Sequence, residues 1–114
     1  MSGGPGQVQP WQVWWADLDP QVGREQAGRR PVIVVGSPLA CTLPNDLAII
    51  VPCTTTDRRL PFQPQIDLGG RACFAMCDQV EALSVDRLVD RHRVALLPEQ
   101  HRATVRRAVR AMLA

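Results

Sequence analysis

The chain has 114 residues, 46% of them hydrophobic, and a formal net charge of +2, enough for one domain with a modest core and too little charge to mark a nucleic-acid binder. Its apolar runs are far too short for a helical bilayer span, and no basic-then-apolar leader opens it, so the reading is a soluble cytoplasmic protein. All 13 cationic side chains are arginine, each a permanently charged planar fork suited to phosphate.

Residues 1–10 are rich in glycine, proline and glutamine, carry no charged side chain, and read as a loose tail before a domain spanning 11–114. Residues 11–18 are β-prone, and Asp19-Pro20 ends the run. Pro31 is expected to open the next strand, 32–35, where its missing N–H does least harm. Residues 36–46 read as loop, 47–51 as a central strand and 61–68 as an edge strand, since Pro61 and Pro64 remove ladder donors. After the Gly69-Gly70 turn, 72–80 reads as a buried strand. Ser84 caps a helical turn over 84–88, and 89–97 returns as a short strand. Pro98 at a first helical position starts a helix running to about Met112. Its apolar stripe is Val105, Ala108, Val109 and Met112, while Arg102, Arg106 and Arg110 lie on another, solvated face. Five or six short strands and one terminal helix imply a small, strongly bent sheet or barrel.

The four cysteines do not form a metal-ligand pattern. In a strand, Cys73 and Cys77 would point the same way roughly 13 Å apart, too far to share one ion, so all four are expected as reduced thiols without a disulfide. No metal or other cofactor is called for.

The chemistry sits at the strand ends. A two-glycine loop carries Arg24, Glu25, Arg29 and Arg30 into Pro31-Val32-Ile33-Val34-Val35, and a second strand ends in Cys53-Thr54-Thr55-Thr56. Cleaving an RNA phosphodiester requires a 2′-hydroxyl to lose a proton, a phosphorane to be stabilised and a 5′-oxygen to be protonated. Arginine grips two phosphate oxygens at once. Pro31 restricts Arg30 to extended backbone, so Arg30 is the better aimed of the loop arginines. Thr54 offers a hydroxyl donor. Glu25 is the loop's only carboxylate and a candidate proton acceptor, or simply a partner for a neighbouring arginine. Arg58 and Arg59 follow the threonines and suit electrostatic steering.

Val13-Trp14-Trp15-Ala16-Asp17-Leu18-Asp19-Pro20, Gly23-Arg24-Glu25-Gln26-Ala27-Gly28-Arg29-Arg30-Pro31-Val32, Val51-Pro52-Cys53-Thr54-Thr55, Pro61-Phe62 and Cys77-Asp78-Gln79-Val80 together resemble the MazF/PemK toxins, in that family's order and spacing. The resemblance implies a compact SH3-like barrel with a C-terminal helix, working as a homodimer. It implies a toxin of a toxin–antitoxin pair that cuts single-stranded RNA at short sequences without metal, leaving a 2′,3′-cyclic phosphate and a 5′-hydroxyl. The family's catalytic arginine and threonine fall on Arg30 and Thr54, and its loop glutamate on Glu25. Arg24, Arg29, Thr55, Thr56, Arg58, Arg59 and Gln79 become the candidate RNA contacts. The implied partner is an antitoxin with a flexible acidic segment; no membrane is involved. Trp11 and Gln12 replace the family's usual glycine and acidic residue, and Arg24 replaces a small hydroxyl residue. The competing expectations are a CcdB-like inhibitor of DNA gyrase and an inactive RNA-binding barrel.

Overall fold

A computed structural model describes residues 8–18 and 28–114. Seven antiparallel strands, β1 (Gln12–Leu18), β2 (Gly28–Val34), β3 (Leu47–Thr54), β4 (Gln65–Leu68), β5 (Arg71–Ala75), β6 (Glu81–Ser84) and β7 (Leu88–Leu96), form one curled sheet, with a short helix α1 (Pro38–Thr42) and a C-terminal helix α2 (Glu99–Arg110). The strand order is β4-β5-β3-β2-β1-β7, with β6 paired to β3. The expected bent sheet with a terminal helix is what forms, and β4 is an edge strand, but it starts at Gln65: Pro61 and Pro64 fall in the turn before it and not in a strand over 61–68.

Both faces of the sheet are apolar, since strand side chains alternate between them, with register shifts against β7 at Gln12/Trp14 and Trp15/Ala16 of β1. On one, Val13, Ile33, Val51, Cys53, Ile66, Leu68, Cys73 and Ala75 pack with Cys77, Leu97 and Val105, the last from α2. On the other, Trp14, Ala16, Val32, Val34, Ala48, Ile50, Leu83 and Leu88 pack with Val8 and, at the edge, Cys41 of α1. Val8 thus contributes to the core from within the segment read as tail.

Several boundaries differ from the sequence expectations, each for a local reason. β2 begins at Gly28 rather than at Pro31, because β1 pairs with it through Leu18↔Gly28 and Ala16↔Arg30 and Pro31 needs no donor opposite Trp15. β3 runs past Val51 to Thr54, since β5 takes up Cys53 and Thr54 where β2 leaves off. Within 36–46 lies α1, capped by Ser37 Oγ accepting from the Ala40 N–H, with Pro38 in its first turn. The strand expected over 72–80 stops at Ala75 and gives way to a 3₁₀ turn, Cys77–Gln79. The chain then resumes along β3 as β6, a strand that composition did not reveal. Ser84 Oγ accepts from the Asp86 N–H and caps the helical turn expected there. Pro98 stands at the N-cap of α2, one place before the position expected, and Met112 is 40% exposed, outside the packed stripe.

Candidate active site

The β2–β3 ladder covers Val32↔Pro52, Ile33↔Val51 and Val34↔Ile50. Continued two steps beyond its last pair, the same register would set Arg30 opposite Thr54. Neither Pro52 nor Pro31 can donate a ladder bond, so the two strands have little to hold them together beyond this point. Instead β1 holds the Arg30 end of β2 through Ala16↔Arg30, and β5 holds the Thr54 end of β3 through Thr54↔Phe74. The sheet forks, with the arginine on one prong and the threonine on the other.

Alternation puts Arg30 and Thr54 on the face of Val32 and Pro52. The cross-strand row on that face comes in two parts, Leu88, Ala16, Arg30 and then Thr54, Phe74, Gln65. Ala16 and Leu88 are buried, Arg30, Thr54 and Phe74 half-buried, and Gln65 exposed. The row therefore passes from packed core to open surface, with the fork between. Phe74 and Gln65 carry no motif of their own; only strand register brings them beside Thr54, which is why sequence reading missed them.

Thr54 is oriented by its own loop. Its Oγ1 accepts the Thr56 N–H at 3.1 Å, which leaves the hydroxyl proton for another acceptor. Asp57 Oδ1 accepts the Arg59 N–H at 2.8 Å, and Arg59 has φ 57°, so the turn beyond the threonines is a built one. Thr55, Thr56, Arg58 and Arg59 are all exposed on it. The far end of the loop is anchored by Gln63, 4% exposed, whose Nε2 donates to Asp78 Oδ1 at 2.9 Å. That bond ties the loop to the 3₁₀ turn holding Gln79, which is exposed. Gln63 Oε1 is buried without a partner.

The structure separates Arg29 from Arg30. Arg29 lies one residue away and hence on the opposite face of β2, where its Nη1 meets Asp90 Oδ2 at 3.4 Å, both side chains more than half exposed. Arg24 and Glu25 fall outside the described residues. His92 is not in this row: it stacks on Trp15 at 4.9 Å, and its Nδ1 accepts the Val94 N–H at 3.0 Å. Burial, with Arg93 adding to it, lowers its pKa.

Cys53, Cys73 and Cys77 are free thiols buried under α2. Cys77 sits in the 3₁₀ turn rather than in line with Cys73 on a strand. Burial pushes the Cys77 thiol up to about 11 and raises Cys53 further. Among the described residues no group of histidine, cysteine, aspartate or glutamate is placed to hold a metal ion. No helix among them is long and apolar enough to cross a membrane.

Residues 9–113 match the family described as PemK-like, MazF-like toxin of type II toxin–antitoxin system. The chain is similar to the endoribonuclease toxin MazF of Escherichia coli K12, 37% identical over 61% of this chain and 62% of that one. It is similar to the probable endoribonuclease MazF5 of Mycobacterium tuberculosis, 34% identical over 70% and 71%. The match thus spans under two thirds of the Escherichia coli protein. Among solved structures, MazF of Deinococcus radiodurans superposes with a TM-score of 0.73 at 28% identity, covering 94% of this chain and 96% of that one. A MazE–MazF crystal form from the same organism gives 0.74 at 28% identity, over 93% and 95%.

Proposed function

We infer that this chain, which belongs to the PemK-like, MazF-like toxins of type II toxin–antitoxin systems, is a sequence-specific endoribonuclease acting on single-stranded RNA in the cytoplasm. The observation that carries the reading is the register of β2 on β3, which pairs as far as Val32↔Pro52 and, continued two steps, would bring Arg30 and Thr54 to one face as neighbours. A scissile phosphate seated in the fork would have its non-bridging oxygens gripped by the Arg30 guanidinium and approached by the Thr54 hydroxyl. As the 2′-oxygen attacks, the phosphorane gains charge, and fixed donors aimed at that charge lower the barrier. Glu25 is the candidate acceptor for the 2′-hydroxyl proton. The products would be a 2′,3′-cyclic phosphate and a 5′-hydroxyl.

Around this centre, Phe74 offers a half-buried ring beside Thr54 on which a base can stack, and Gln65 an amide to read its edge. Arg58, Arg59, Thr55, Thr56 and Gln79 line the neighbouring exposed turns, with Arg24 in the loop before β2. Arg29, paired with Asp90 on the reverse face, is the weakest of the RNA-contact assignments. The working unit would be a homodimer. Support comes from Leu39, Leu43, Leu47 and Ile49, large apolar side chains 72%, 48%, 41% and 38% exposed on α1, at its C-cap and on the strand that follows. The silencing partner would be an antitoxin whose flexible acidic segment competes for the same arginines. The gyrase-inhibitor alternative gives no role to an arginine and a threonine so disposed.

Purified protein incubated with a long single-stranded RNA and a chelator tests the reading. Discrete cuts ending in cyclic phosphates are expected. Inhibition of DNA supercoiling without cuts would overturn it.

A further inference from the structure

The arginines of α2 are not the plain solvated face that their spacing suggests. The guanidinium carbons of Arg102 and Arg106 lie 6.0 and 5.4 Å from the centroid of the Trp11 ring. Arg102 is also fixed by its Nε donating to the Leu97 carbonyl at 2.9 Å. Trp11 itself is held in an unusual backbone conformation, φ 70°, by hydrogen bonds on both sides: its N–H to the Val34 carbonyl at 2.7 Å and its carbonyl from the Leu97 N–H at 2.8 Å. A bulky residue rarely adopts positive φ, and here it sets a half-buried indole along the helix. Among the described residues the one carboxylate ion pair is Arg29–Asp90, so within them no acid lies at ion-pair distance from Arg102 or Arg106. Two like charges share one ring.

We propose that Trp11 with Arg102, Arg106 and Arg110 forms a second, accessory track for the backbone of single-stranded RNA, separate from the Arg30–Thr54 fork. The track is distinct because Trp11 packs on the α2 side of the sheet, whereas Arg30 belongs to the other face and lies opposite Ala16, far along β1. Residues four apart on a helix rise by about 6 Å, on the scale of successive phosphates in an extended strand. Guanidinium forks match those phosphates, and the indole offers a stacking plate for a base, the combination by which single strands are bound without sequence preference. An acidic polypeptide would use the charges and leave the ring without a role, so RNA is the occupant the geometry favours. The inference rests on the RNA-directed reading of the fork.

A 2′-O-methyl oligonucleotide tests it, since this probe lacks the nucleophile and reports binding even if the protein cuts nothing. Binding to the full chain is followed by anisotropy over a range of salt concentrations, with folding of each variant checked by circular dichroism. In the double variant Arg106→Gln, Arg110→Gln the slope of log affinity against log salt should shrink by about 1.4, two phosphates at about 0.7 each. The exposed neighbour Arg107, off the row, is the control: Arg107→Gln should leave the slope unchanged. Oligonucleotide should also quench emission in the native chain, and Trp11→Phe should remove that quench. An unaltered slope in the double variant overturns the track, as does an equal fall with Arg107→Gln or a quench that survives Trp11→Phe. Loss of cutting in Arg30→Ala, or its retention, bears on the fork alone and changes none of these readings.

Discussion

Replacing Gln63 by glutamate changes one buried atom and turns a hydrogen bond into a repulsion. In the native chain the Gln63 amide donates to the Asp78 carboxylate at 2.9 Å from a side chain 4% exposed. Around it the backbone is stitched by Gln63 N–H to the Leu60 carbonyl, Cys77 N–H to that of Phe62 and Ala75 N–H to that of Pro64, so the loop has little freedom to swing the new carboxylate into water. A hydrogen bond to a charged group contributes about 1.5–3 kcal/mol, and its loss is compounded by two carboxylates facing each other. Gln63→Glu should therefore cost about 3 kcal/mol at neutral pH. At about 1.4 kcal/mol per pKa unit, that corresponds to a folded-state pKa for the new carboxyl roughly two units above its unfolded value of about 4.3. The sign follows: below about pH 4.3 the new side chain is protonated in both states, its O–H can donate to Asp78, and the penalty is small. As pH rises the unfolded chain releases this proton first, so stability relative to wild type falls until the folded carboxyl also ionises. Urea unfolding of both proteins at pH 4.5 and 7.5 reads the difference. A penalty that is the same at both pH values, or absent at pH 7.5, would refute the bond's role in anchoring the loop.

Other expectations follow from the same structure. Val105→Ala empties a fully buried position between α2 and the sheet and should cost about 2 kcal/mol by chemical unfolding. His92 has its pKa lowered by burial, so the stability tied to its neutral form is whole above about pH 6.5 and declines as pH falls through that region, where the unfolded chain gains the proton first. Melting curves from pH 7.5 to 5 should show a steeper loss for wild type than for His92→Gln. Iodoacetamide at pH 8 should label Cys41 of the native chain, which is partly exposed, and spare Cys53, Cys73 and Cys77, which are buried, although burial raises the pKa of all four; peptide mass mapping checks this. Thr54→Ser should keep cutting within about tenfold, while Thr54→Val should lower it by about 10²–10³, the usual cost of one transition-state donor.

How far the sequence could be read depended on whether a feature was local. β1, β4, the Ser84 cap and α2 announce themselves through alternation, proline, a capping hydroxyl and helical spacing, all set within a few residues. The extended backbone of Arg30, on β2, was legible too, because the proline after it constrains it. What escaped was set by distant partners. Gly28, Arg29 and Arg30 extend β2 because β1 lies alongside; β6 exists because β3 has an edge to give it. Phe74 and Gln65 come beside Thr54 through register alone. Arg29 and Arg30, adjacent and alike in sequence, diverge because a strand sends neighbours to opposite faces. The α2 arginines looked solvated because Trp11 is nearly a hundred residues away along the chain.

The central claim is that Arg30 and Thr54 act on one phosphate. The most direct measurement is a double-mutant cycle on single-turnover cleavage of a long RNA, using Arg30→Ala, Thr54→Val and the pair, with each variant shown to be folded. The account predicts a loss of about 10²–10³ for either change and, for the pair, much less than the product of the two, as befits groups acting as a unit. Undiminished cutting by folded Arg30→Ala, or strictly multiplicative losses in the double variant, would contradict it.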